Sequence, residues 1–443
     1  MDTVTARTGH VKELVDRHLE RLLERQLGRL AFLGEEEAGL IREHLVAFVL
    51  RGGKRLRPEF VYWGYLAGGG ERPEDVLPAA CAVELVHAAA LLLDDLMDEA
   101  GTRRGRPAAH VALAGLHRAR GRRGDPDRFG ESAATLLALL ALTWADAALL
   151  ESGPHLPAAL DHLTRLRVEA IGGQYLDLTR TSGARLTDTA ASGPRADCEE
   201  RGADTSASGT RAGREACGEG ASDGGEEEQA RLISLYKSGK YTVERPLLLG
   251  HAVAGGCAPT RRLLIAYALP LGEAFQLRDD VNGVFGDPAE TGKPAGADLL
   301  QGKATYLLAE ARRRTGGADA LDDIKDADGV AAARRLIVEC GALDAAERRI
   351  AGLAAEAVAA LAHPPGLPPK ARKALTDLAT TATATEPATA TATEPATATA
   401  TEPATATATE PAATEAAATE AAGTEAAGTE AAGTATRPEG RGR

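Results

Sequence analysis

Apolar positions recur at helical spacing along most of the first 380 residues. Intervals of three and four residues, with no sustained alternation of apolar and polar positions, favour α-helices over strands. Glycine pairs and prolines, such as Gly52-Gly53 and Pro154, mark breaks between the periodic segments. The pattern predicts helices over residues 8–32, 36–51, 58–68, 74–99, 131–151, 155–180, 229–256, 260–285 and 298–315, with shorter ones to about 380. It therefore predicts an all-α fold, a single large helical bundle.

Two stretches lack this periodicity. Residues 181–230 are rich in Gly, Ser, Ala, Thr and charge, which predicts a disordered loop inserted between two helices. Residues 381–443 repeat Glu-Pro-Ala-Thr-Ala-Thr-Ala-Thr and then shorter glutamate units, which predicts a low-complexity disordered tail. The predicted organisation is thus one helical domain over residues 1–380, interrupted by the inserted loop and followed by the tail.

Charge and cysteine usage exclude several classes of function. The chain has a formal net charge of −13, and each of the two irregular stretches carries −6, so the helical part is nearly neutral. No basic face indicates a nucleic-acid partner. Five scattered cysteines without metal spacing, and an N-terminus without a signal-peptide apolar core, predict a cytoplasmic protein. The longest apolar stretch, residues 133–150, is interrupted by Asp146, so a buried helix is expected and no membrane span.

Two aspartate clusters lie inside apolar stretches, where unpaired carboxylates are costly. In Asp94-Asp95-Leu96-Met97-Asp98, the first and last aspartates project from one helical face. The second cluster is Asp279-Asp280. Either cluster alone is equally well interpreted as a solvated helical turn. Because Mg²⁺ prefers carboxylate and phosphate oxygens, two opposed acidic faces predict a diphosphate held through bridging Mg²⁺ ions.

Basic residues at separate places add to this prediction, since bound diphosphates require cationic partners. Each basic segment alone is weak evidence for a diphosphate site, because lysine and arginine are common on protein surfaces. The basic segments are Gly52-Gly53-Lys54-Arg55-Leu56-Arg57-Pro58, Thr102-Arg103-Arg104-Gly105, Lys237-Ser238-Gly239-Lys240, Thr291-Gly292-Lys293 and Gly302-Lys303.

Taken in order, the motifs resemble those of the trans-type polyprenyl diphosphate synthases over about residues 10 to 375. The motifs that carry the resemblance are Gly-Gly-Lys-Arg-Leu-Arg-Pro from Gly52, Asp-Asp-x-x-Asp from Asp94, Arg-Arg-Gly from Arg103, Gly-Gln-x-x-Asp from Gly173 and Phe-Gln-x-Arg-Asp-Asp from Phe275. The resemblance implies a bundle of the isoprenoid synthase type around a central apolar cavity. It also implies condensation of isopentenyl diphosphate with allylic diphosphates (dimethylallyl, geranyl, farnesyl), two or three Mg²⁺ ions per active site, and a homodimer.

Site roles are likewise implied by the resemblance. Mg²⁺ would be bound by Asp94, Asp98 and Asp279, with Asp95 and Asp280 as further candidates. The diphosphate of isopentenyl diphosphate would be bound by Lys54, Arg57, His87 and Arg104. The allylic diphosphate would be bound by Arg103, Lys237 and Lys293. Gln276 would line the reacting allyl group, with Ser238 and Gln174 nearby, and Lys303 would belong to the closing segment.

The helix before the first aspartates bears on product length. Ala89 and Ala90 lie one turn before Asp94, and Val86 lies two turns before it, at about 5.4 Å per turn. Shorter-product relatives usually place an aromatic ring at the first turn, so two alanines imply a product of twenty carbons or more, with geranylgeranyl diphosphate expected. Val86 and facing helices would then set the final length.

The sequence departs from the family pattern at one notable place, since Gly283 stands where the second cluster usually has a third aspartate. Asp287 follows four residues later. Three alternatives remain open at this point. A generic helical scaffold with incidental acidic turns would explain the bundle but not the ordered series of basic motifs. A class I terpene cyclase would share the first aspartate motif but needs no second diphosphate site, and a non-catalytic partner subunit would keep the fold without turnover.

Overall fold

The computed structural model describes residues 2–51, 53–181, 232, 235–286, 296–303, 305–317, 321, 324–363 and 366–384. Except for Thr181 and residues 381–384, the predicted inserted loop and tail lie outside the described residues. One compact unit spans Met1–Thr389. The predicted domain organisation stays a prediction.

The described residues form an all-α structure, as the apolar periodicity predicted. The α-helices are α1 Asp2–Gly28, α2 Gly34–Ile41, α3 Ala47–Leu50, α4 Leu56–Ala67, α5 Leu77–Met97, α6 Ala109–Ala119, α7 Pro126–Leu149, α8 Leu156–Thr181, α9 Arg245–Val253, α10 Ala258–Phe285, α11 Ala297–Leu300, α12 Tyr306–Thr315, α13 Ala327–Glu339, α14 Ala342–Ala360 and α15 Pro369–Thr383.

Shorter elements join these helices. Two π-helices span Arg42–Val46 and Leu235–Glu244, and 3₁₀ turns occur at Ala31–Leu33, Pro73–Asp75 and Leu150–His155. Strands β1 Thr102–Arg103 and β2 Arg106–Pro107 pair antiparallel in a two-residue hairpin, with Arg103 opposite Arg106. Three segments predicted as single helices are therefore divided. Residues 36–51 are divided by one π-helix, residues 229–256 contain the other, and residues 298–315 are divided between α11 and α12.

Helix α5 is the centre of the bundle because its sequence is apolar on nearly every face. A helix that is apolar all round has to be covered by neighbours. It packs against α4, α7 and α9, and Leu85 and Leu92 are fully enclosed. Helix α10 packs against α14 and the second π-helix. Helix α5 belongs to one apolar cluster, whereas the second half of α10, from Ala274 to Val284, packs in a second apolar cluster with residues of α11 to α14.

Two segments, Leu77–Met97 and Pro126–Thr179, are long and apolar enough to cross a membrane by length and composition alone. The bundle buries 72% of the apolar window of the first and 44% of that of the second. Core helices of soluble proteins have the same character, so the absence of a membrane span stays a prediction. The cysteines within the described ranges, Cys81, Cys257 and Cys340, are free thiols.

Candidate active site

The first aspartate cluster lies at the C-terminal end of α5, where the helix leaves the core. Asp95 is buried, while the side chains of Asp94 and Asp98 are 20% and 13% exposed. The β1–β2 hairpin that follows brings Arg103 back onto the cluster. Its Nε donates to Oδ1 of Asp95 at 2.7 Å and its Nη2 to Oδ2 of Asp94 at 3.3 Å. Burial disfavours the charged guanidinium, but the two carboxylates outweigh this effect and raise the pKa of Arg103.

Lys237 approaches the same cluster from the second π-helix. Its Nζ lies 2.5 Å from Oδ2 of Asp177 on α8 and 3.7 Å from Oδ1 of Asp94. Gly173 permits this approach, because a Cβ at that position would lie 2.7 Å from the Cα of Lys237. The Gly-Gln-x-x-Asp motif therefore has a local physical role, since its glycine admits the π-helix backbone and its aspartate binds the lysine. π-helices are frequent at functional sites.

Lys303 reaches the cluster from the segment that joins α11 to α12. Its Nζ lies 3.0 Å from Oδ2 of Asp98 and 3.9 Å from Oδ1 of Asp298. Burial opposes its charge, but the carboxylates of Asp298, Asp98 and Asp94 prevail and raise the pKa of Lys303. Three cations from different elements thus lie against one acidic helix end.

The acidic residues of α10 differ in exposure. Asp279 is exposed, whereas Asp280 is buried and accepts a hydrogen bond from Nε2 of Gln276 at 2.7 Å. Its other oxygen, Oδ2, has no hydrogen-bond partner among the described residues. Burial raises the pKa of Asp280 to about 8, with the Gln276 amide opposing the shift and the charges of Asp298 and Asp279 adding to it. Asp280 is therefore mainly protonated at pH 7.

A cavity of about 730 Å³ adjoins Asp279. Its lining includes several cationic side chains and the first residues after the glycine pair. The residues that line it include Lys12, Gly53, Lys54, Arg57, Glu59, His87, Arg104, Phe275, Arg278, Asp279, Asn282 and Leu378. The residues that the sequence assigned to isopentenyl diphosphate are therefore gathered in one place, next to the second aspartate cluster.

His87 is bound within this cavity by two hydrogen-bonding neighbours. Nη1 of Arg57 lies 3.3 Å from its Nε2, and the hydroxyl oxygen of Tyr241 lies 3.3 Å from its Nδ1. Nη2 of Arg57 also donates to the hydroxyl of Thr242 at 2.9 Å. Burial, followed by the charges of Arg57 and Arg104, lowers the pKa of His87 well below its usual value. His87 is thus neutral at pH 7.

The loop between α3 and α4 divides its charges between two roles. Arg55 is buried, donates from Nε to Oδ1 of Asp16 at 2.7 Å and forms a second ion pair with Glu84. Removing one partner of such a buried pair is strongly destabilising. Lys54 and Arg57 line the cavity, as does Arg55 itself. Arg55 therefore anchors the loop, and Lys54 and Arg57 flank this anchor at the wall of the cavity.

The donors of the two aspartate faces fit Mg²⁺. Among the residues that the structure describes, no three His, Cys, Asp or Glu side chains converge to bind a metal ion by themselves. Mg²⁺ is usually held by one or two carboxylates, waters and substrate phosphates and does not need an all-protein cage. A divalent cation nearby would also favour the ionised form of Asp280, which burial disfavours. Asp94, Asp98 and Asp279 are therefore suited to share Mg²⁺ with a diphosphate.

The other predicted site residues differ in how deeply they are buried, and two of them lie outside the described residues. Gln174 and Ser238 are half-buried on α8 and the second π-helix. Val86 and Ala89 are buried in the core on α5, whereas Ala90 is half-buried. Lys293 and Asp287 lie outside the described residues.

Asp298 is a site residue that the sequence reasoning missed. It lies on α11, near Lys303 and close enough to Asp280 to raise its pKa. Its local sequence, Gly-Ala-Asp-Leu-Leu, has no distinguishing feature. The available signal was Gly283, since a glycine on an acidic helical face leaves room for a side chain from elsewhere.

Comparisons with known proteins agree with this geometry. A model of the polyprenyl synthetase family matches residues 39–193 and 215–336. Geranylgeranyl pyrophosphate synthase 11 of Arabidopsis thaliana is 30% identical over 275 residues, covering 61% of this chain and 63% of that protein. Farnesyl diphosphate synthase of Geobacillus stearothermophilus is 28% identical over 301 residues, covering 67% of this chain and 80% of that protein.

A solved structure gives the same result. The geranylgeranyl pyrophosphate synthase of Corynebacterium glutamicum, complexed with isoprenyl diphosphate and magnesium, has 34% sequence identity and a TM-score of 0.71. The match covers 84% of this chain and 98% of that one. The motif order, the helical fold and these matches lead to one conclusion: the chain belongs to the polyprenyl synthetase family.

Proposed function

We propose that the protein is a Mg²⁺-dependent prenyltransferase that condenses isopentenyl diphosphate with an allylic diphosphate. The observation that carries the proposal is the position of Asp279, which lines the same cavity as Lys54, Arg57, His87 and Arg104. A basic cavity beside a metal-binding face provides for two diphosphates. A terpene cyclase, which binds one, has no use for the second set of cations.

The allylic diphosphate is assigned to the acidic end of α5. Mg²⁺ bound there would neutralise negative charge that grows on the departing diphosphate. Arg103 and Lys237, which already lie against Asp94, would donate hydrogen bonds to the same group. Lys293, outside the described residues, is assigned to it by the motif. Such preorganised donors stabilise a transition state without a covalent protein nucleophile.

The reaction proceeds by ionisation, condensation and elimination. The allylic C–O bond breaks, and diphosphate leaves with the electron pair. The double bond of isopentenyl diphosphate then attacks the allylic cation and forms the new C–C bond. A proton passes to the released diphosphate, and the product is a trans polyprenyl diphosphate longer by five carbons. Gln276, Ser238 and Gln174 would orient the reacting allyl group, and apolar neighbours would exclude water from the cation.

The basic cavity is assigned to isopentenyl diphosphate. Arg57 is already held in place by Thr242 and His87, so little side-chain freedom would be lost when it binds the ligand. Because Arg57 can only donate, Nε2 of neutral His87 accepts from it and the ring proton on Nδ1 faces the Tyr241 hydroxyl, so His87 would serve the diphosphate by orienting Arg57. Lys54 and Arg104 would provide further charge at the rim. Lys303, paired with Asp98, would hold the closing segment over the metal-binding face.

We further propose a product of twenty carbons or more, with geranylgeranyl diphosphate expected. Ala90, one turn before Asp94, has the exposure needed to meet a growing chain. Ala89 and Val86 are packed in the core behind it. Relatives named for farnesyl and for geranylgeranyl products both match the chain, so the matches do not decide between the two lengths. The small side chain at Ala90, which leaves room for a growing chain, supports the longer product.

A second copy of the chain is proposed as the partner of α7 and α8. Both helices expose large apolar side chains at helical spacing, among them Leu136, Leu139, Val168 and Ile171. Such a stripe is costly in water unless it is covered. Light scattering of the purified protein should give twice the chain mass. A monomeric mass at micromolar concentration would refute the homodimer.

Incubation of the purified protein with isopentenyl diphosphate and each allylic primer in turn tests the function. Dimethylallyl, geranyl and farnesyl diphosphates should each be extended in a Mg²⁺-dependent reaction, and product sizing should give twenty carbons or more. Cyclised hydrocarbon formed without isopentenyl diphosphate would instead identify a cyclase. No turnover by the folded protein would favour the silent partner subunit.

A further inference from the structure

The second π-helix, Leu235–Glu244, packs against its two neighbouring helices through glycines. A Cβ at Gly173 of α8 would lie 2.4 Å from the backbone nitrogen of Lys237. A Cβ at Gly272 of α10 would lie 2.7 Å from the carbonyl oxygen of Gly239. Such contacts bring backbones close together, but a glycine has no side chain to fix one backbone along the other. Another interaction must therefore set the position of the π-helix along α8.

Two ion pairs join this segment to α8 at matching intervals. Nζ of Lys237 lies 2.5 Å from Oδ2 of Asp177. Nε of Arg245, the first residue of α9, donates to Oε2 of Glu169 at 2.7 Å. The two acidic residues are eight positions apart on α8, about 12 Å, and the two basic residues are also eight positions apart. The segments thus run antiparallel, with one ion pair at each end of their shared face.

The pair of Arg245 and Glu169 is suited to fix this position. Nη2 of Arg245 also donates to Oε1 of Glu169, and the two side chains are only 10% and 17% exposed. Two parallel hydrogen bonds set an orientation as well as a distance. Burial opposes the charge of Arg245, but its bond to Glu169 and the charge of Glu244 raise its pKa. Pro246 follows and has no N–H to donate four residues back, so the backbone is weakened at this junction.

The π-helix carries contacts to both proposed substrate sites. Near its beginning, Nζ of Lys237 lies 3.7 Å from Oδ1 of Asp94. Near its end, the hydroxyl of Thr242 accepts a hydrogen bond from Nη2 of Arg57 at 2.9 Å. The guanidinium carbon of Arg57 also lies 4.7 Å from the centre of the Tyr241 ring. A shift of the π-helix along α8 would therefore displace cations at both sites.

We propose that Arg245 and Glu169 are positioning residues for both substrates. Their ion pair holds the π-helix in the register that places Lys237 at the allylic diphosphate and Thr242 behind Arg57. The inference rests on the proposed function and deepens it, because it assigns a role to two residues outside the motifs that carry the resemblance. Loss of the pair should affect both substrates, whereas loss of Lys237 alone should affect only the allylic one.

A variant that removes the pair without leaving a buried charge tests the proposal. Replacement of a buried ion pair by apolar residues of similar volume is often neutral for stability, so Glu169→Met/Arg245→Met should stay folded. Its kcat/KM should fall about 10-fold or more for isopentenyl diphosphate and for the allylic diphosphate, since a misplacement of about 1 Å can cost about 100-fold. Arg245→Lys keeps the charge but loses the two parallel bonds, and it should change both values in the same direction.

The matched control is the exposed ion pair of Asp161 and Arg165 on the same helix, with a distance of 2.9 Å. Asp161→Asn/Arg165→Met should keep wild-type kinetics, because exposed pairs contribute little. Thermal unfolding of all variants shows whether the bundle is intact.

A double-mutant cycle separates positioning from a purely structural role. If the pair acts through Lys237, its removal should lower kcat/KM for the allylic diphosphate less in a Lys237→Ala background than in the wild type. Equal costs in the two backgrounds would overturn the proposal, as would wild-type kinetics in the folded double-methionine variant. Should that variant not fold, unchanged kinetics in Arg245→Lys would overturn it instead. A wild type that does not condense the two diphosphates would refute the proposed function, and this inference with it.

Discussion

Lys237 and Asp177 form an ion pair of 2.5 Å across 60 residues of sequence, with Asp94 on the other side of the lysine at 3.7 Å. The ammonium is thus already placed at the acidic end of α5, on a π-helix that Gly173 allows to approach α8. This preorganisation matters because a donor that is fixed before the reaction need not be reoriented when charge develops on the substrate.

Replacement of Lys237 by alanine should therefore affect the allylic substrate selectively. We expect kcat/KM for the allylic diphosphate to fall about 100-fold, the size of effect seen when one oxyanion donor is removed. The KM for isopentenyl diphosphate should change little, because its proposed cavity is lined by other residues. Steady-state kinetics with each substrate varied in turn measures both.

Lys240→Ala is the matched control, since this lysine lies in the same π-helix but pairs weakly, at 3.9 Å, with Glu169 and Glu244. Equal loss of affinity for both substrates in Lys237→Ala would contradict the assignment.

His87 should make stability depend on pH in the acid range. Its pKa in the folded protein is well below the value of 6.5 that it has when unfolded. The unfolded chain therefore binds the extra proton first, and stability decreases as pH falls below 6.5. The slope is about 1.4 kcal/mol per pH unit for one group. Urea unfolding of wild type and His87→Gln between pH 7 and 5 should show this additional loss in the wild type alone. Parallel curves would refute it.

Glu59 should have the opposite dependence. It is 2% exposed, its Oε1 has no hydrogen-bond partner among the described residues, and burial raises its pKa from 4.5 to about 8. The folded protein keeps a proton that the unfolded chain releases, so wild-type stability falls as pH rises from 4.5 to 8. Relative to Glu59→Gln, the loss should be about 1.4 kcal/mol per pH unit. Glu35→Gln, at an exposed position on α2, is the control and should leave the slope unchanged. A Glu59→Gln curve parallel to the wild type would contradict the buried acid.

Local pattern predicted much of the fold. The predicted helix over 74–99 is α5, Leu77–Met97, because its apolar and alanine-rich sequence can only be satisfied by helix packed on all sides. The two π-helices were not predicted. Their registers depend on what each segment packs against, as the approach of Lys237 to Gly173 illustrates, and apolar periodicity does not contain that information.

The site was predictable where a motif is contiguous and not where it is assembled from distant segments. The ion pair between Lys303 and Asp98 joins residues 205 positions apart, and the contact of Asp298 with Gly283 crosses from α11 to α10. Sequence spacing identified the cations and carboxylates but not their partners. For the same reason Arg55, which lies within a predicted binding motif, proved to be an internal anchor.

Product length should respond to Ala90. Phenylalanine at this half-buried position would block the growing prenyl chain one helical turn before Asp94. Because a turn of about 5.4 Å is similar in length to one isoprene unit, Ala90→Phe should shorten the product to about fifteen carbons. Ala89→Phe is the contrasting variant, because Ala89 is 1% exposed in the core and a large ring there should lower stability by about 1 to 3 kcal/mol. Chromatography of the products, with thermal unfolding, distinguishes the two effects. An unchanged product length in Ala90→Phe would contradict the role of this turn.

The turnover of Asp94→Ala at saturating Mg²⁺ is the decisive test of the proposed allylic site. Asp94 contacts Arg103, lies 3.7 Å from Lys237 and begins the proposed metal-binding face of α5, so its carboxylate joins every part of the proposed allylic site. We expect condensation to fall by about 100-fold or more while the protein remains folded. Full turnover by folded Asp94→Ala would contradict it.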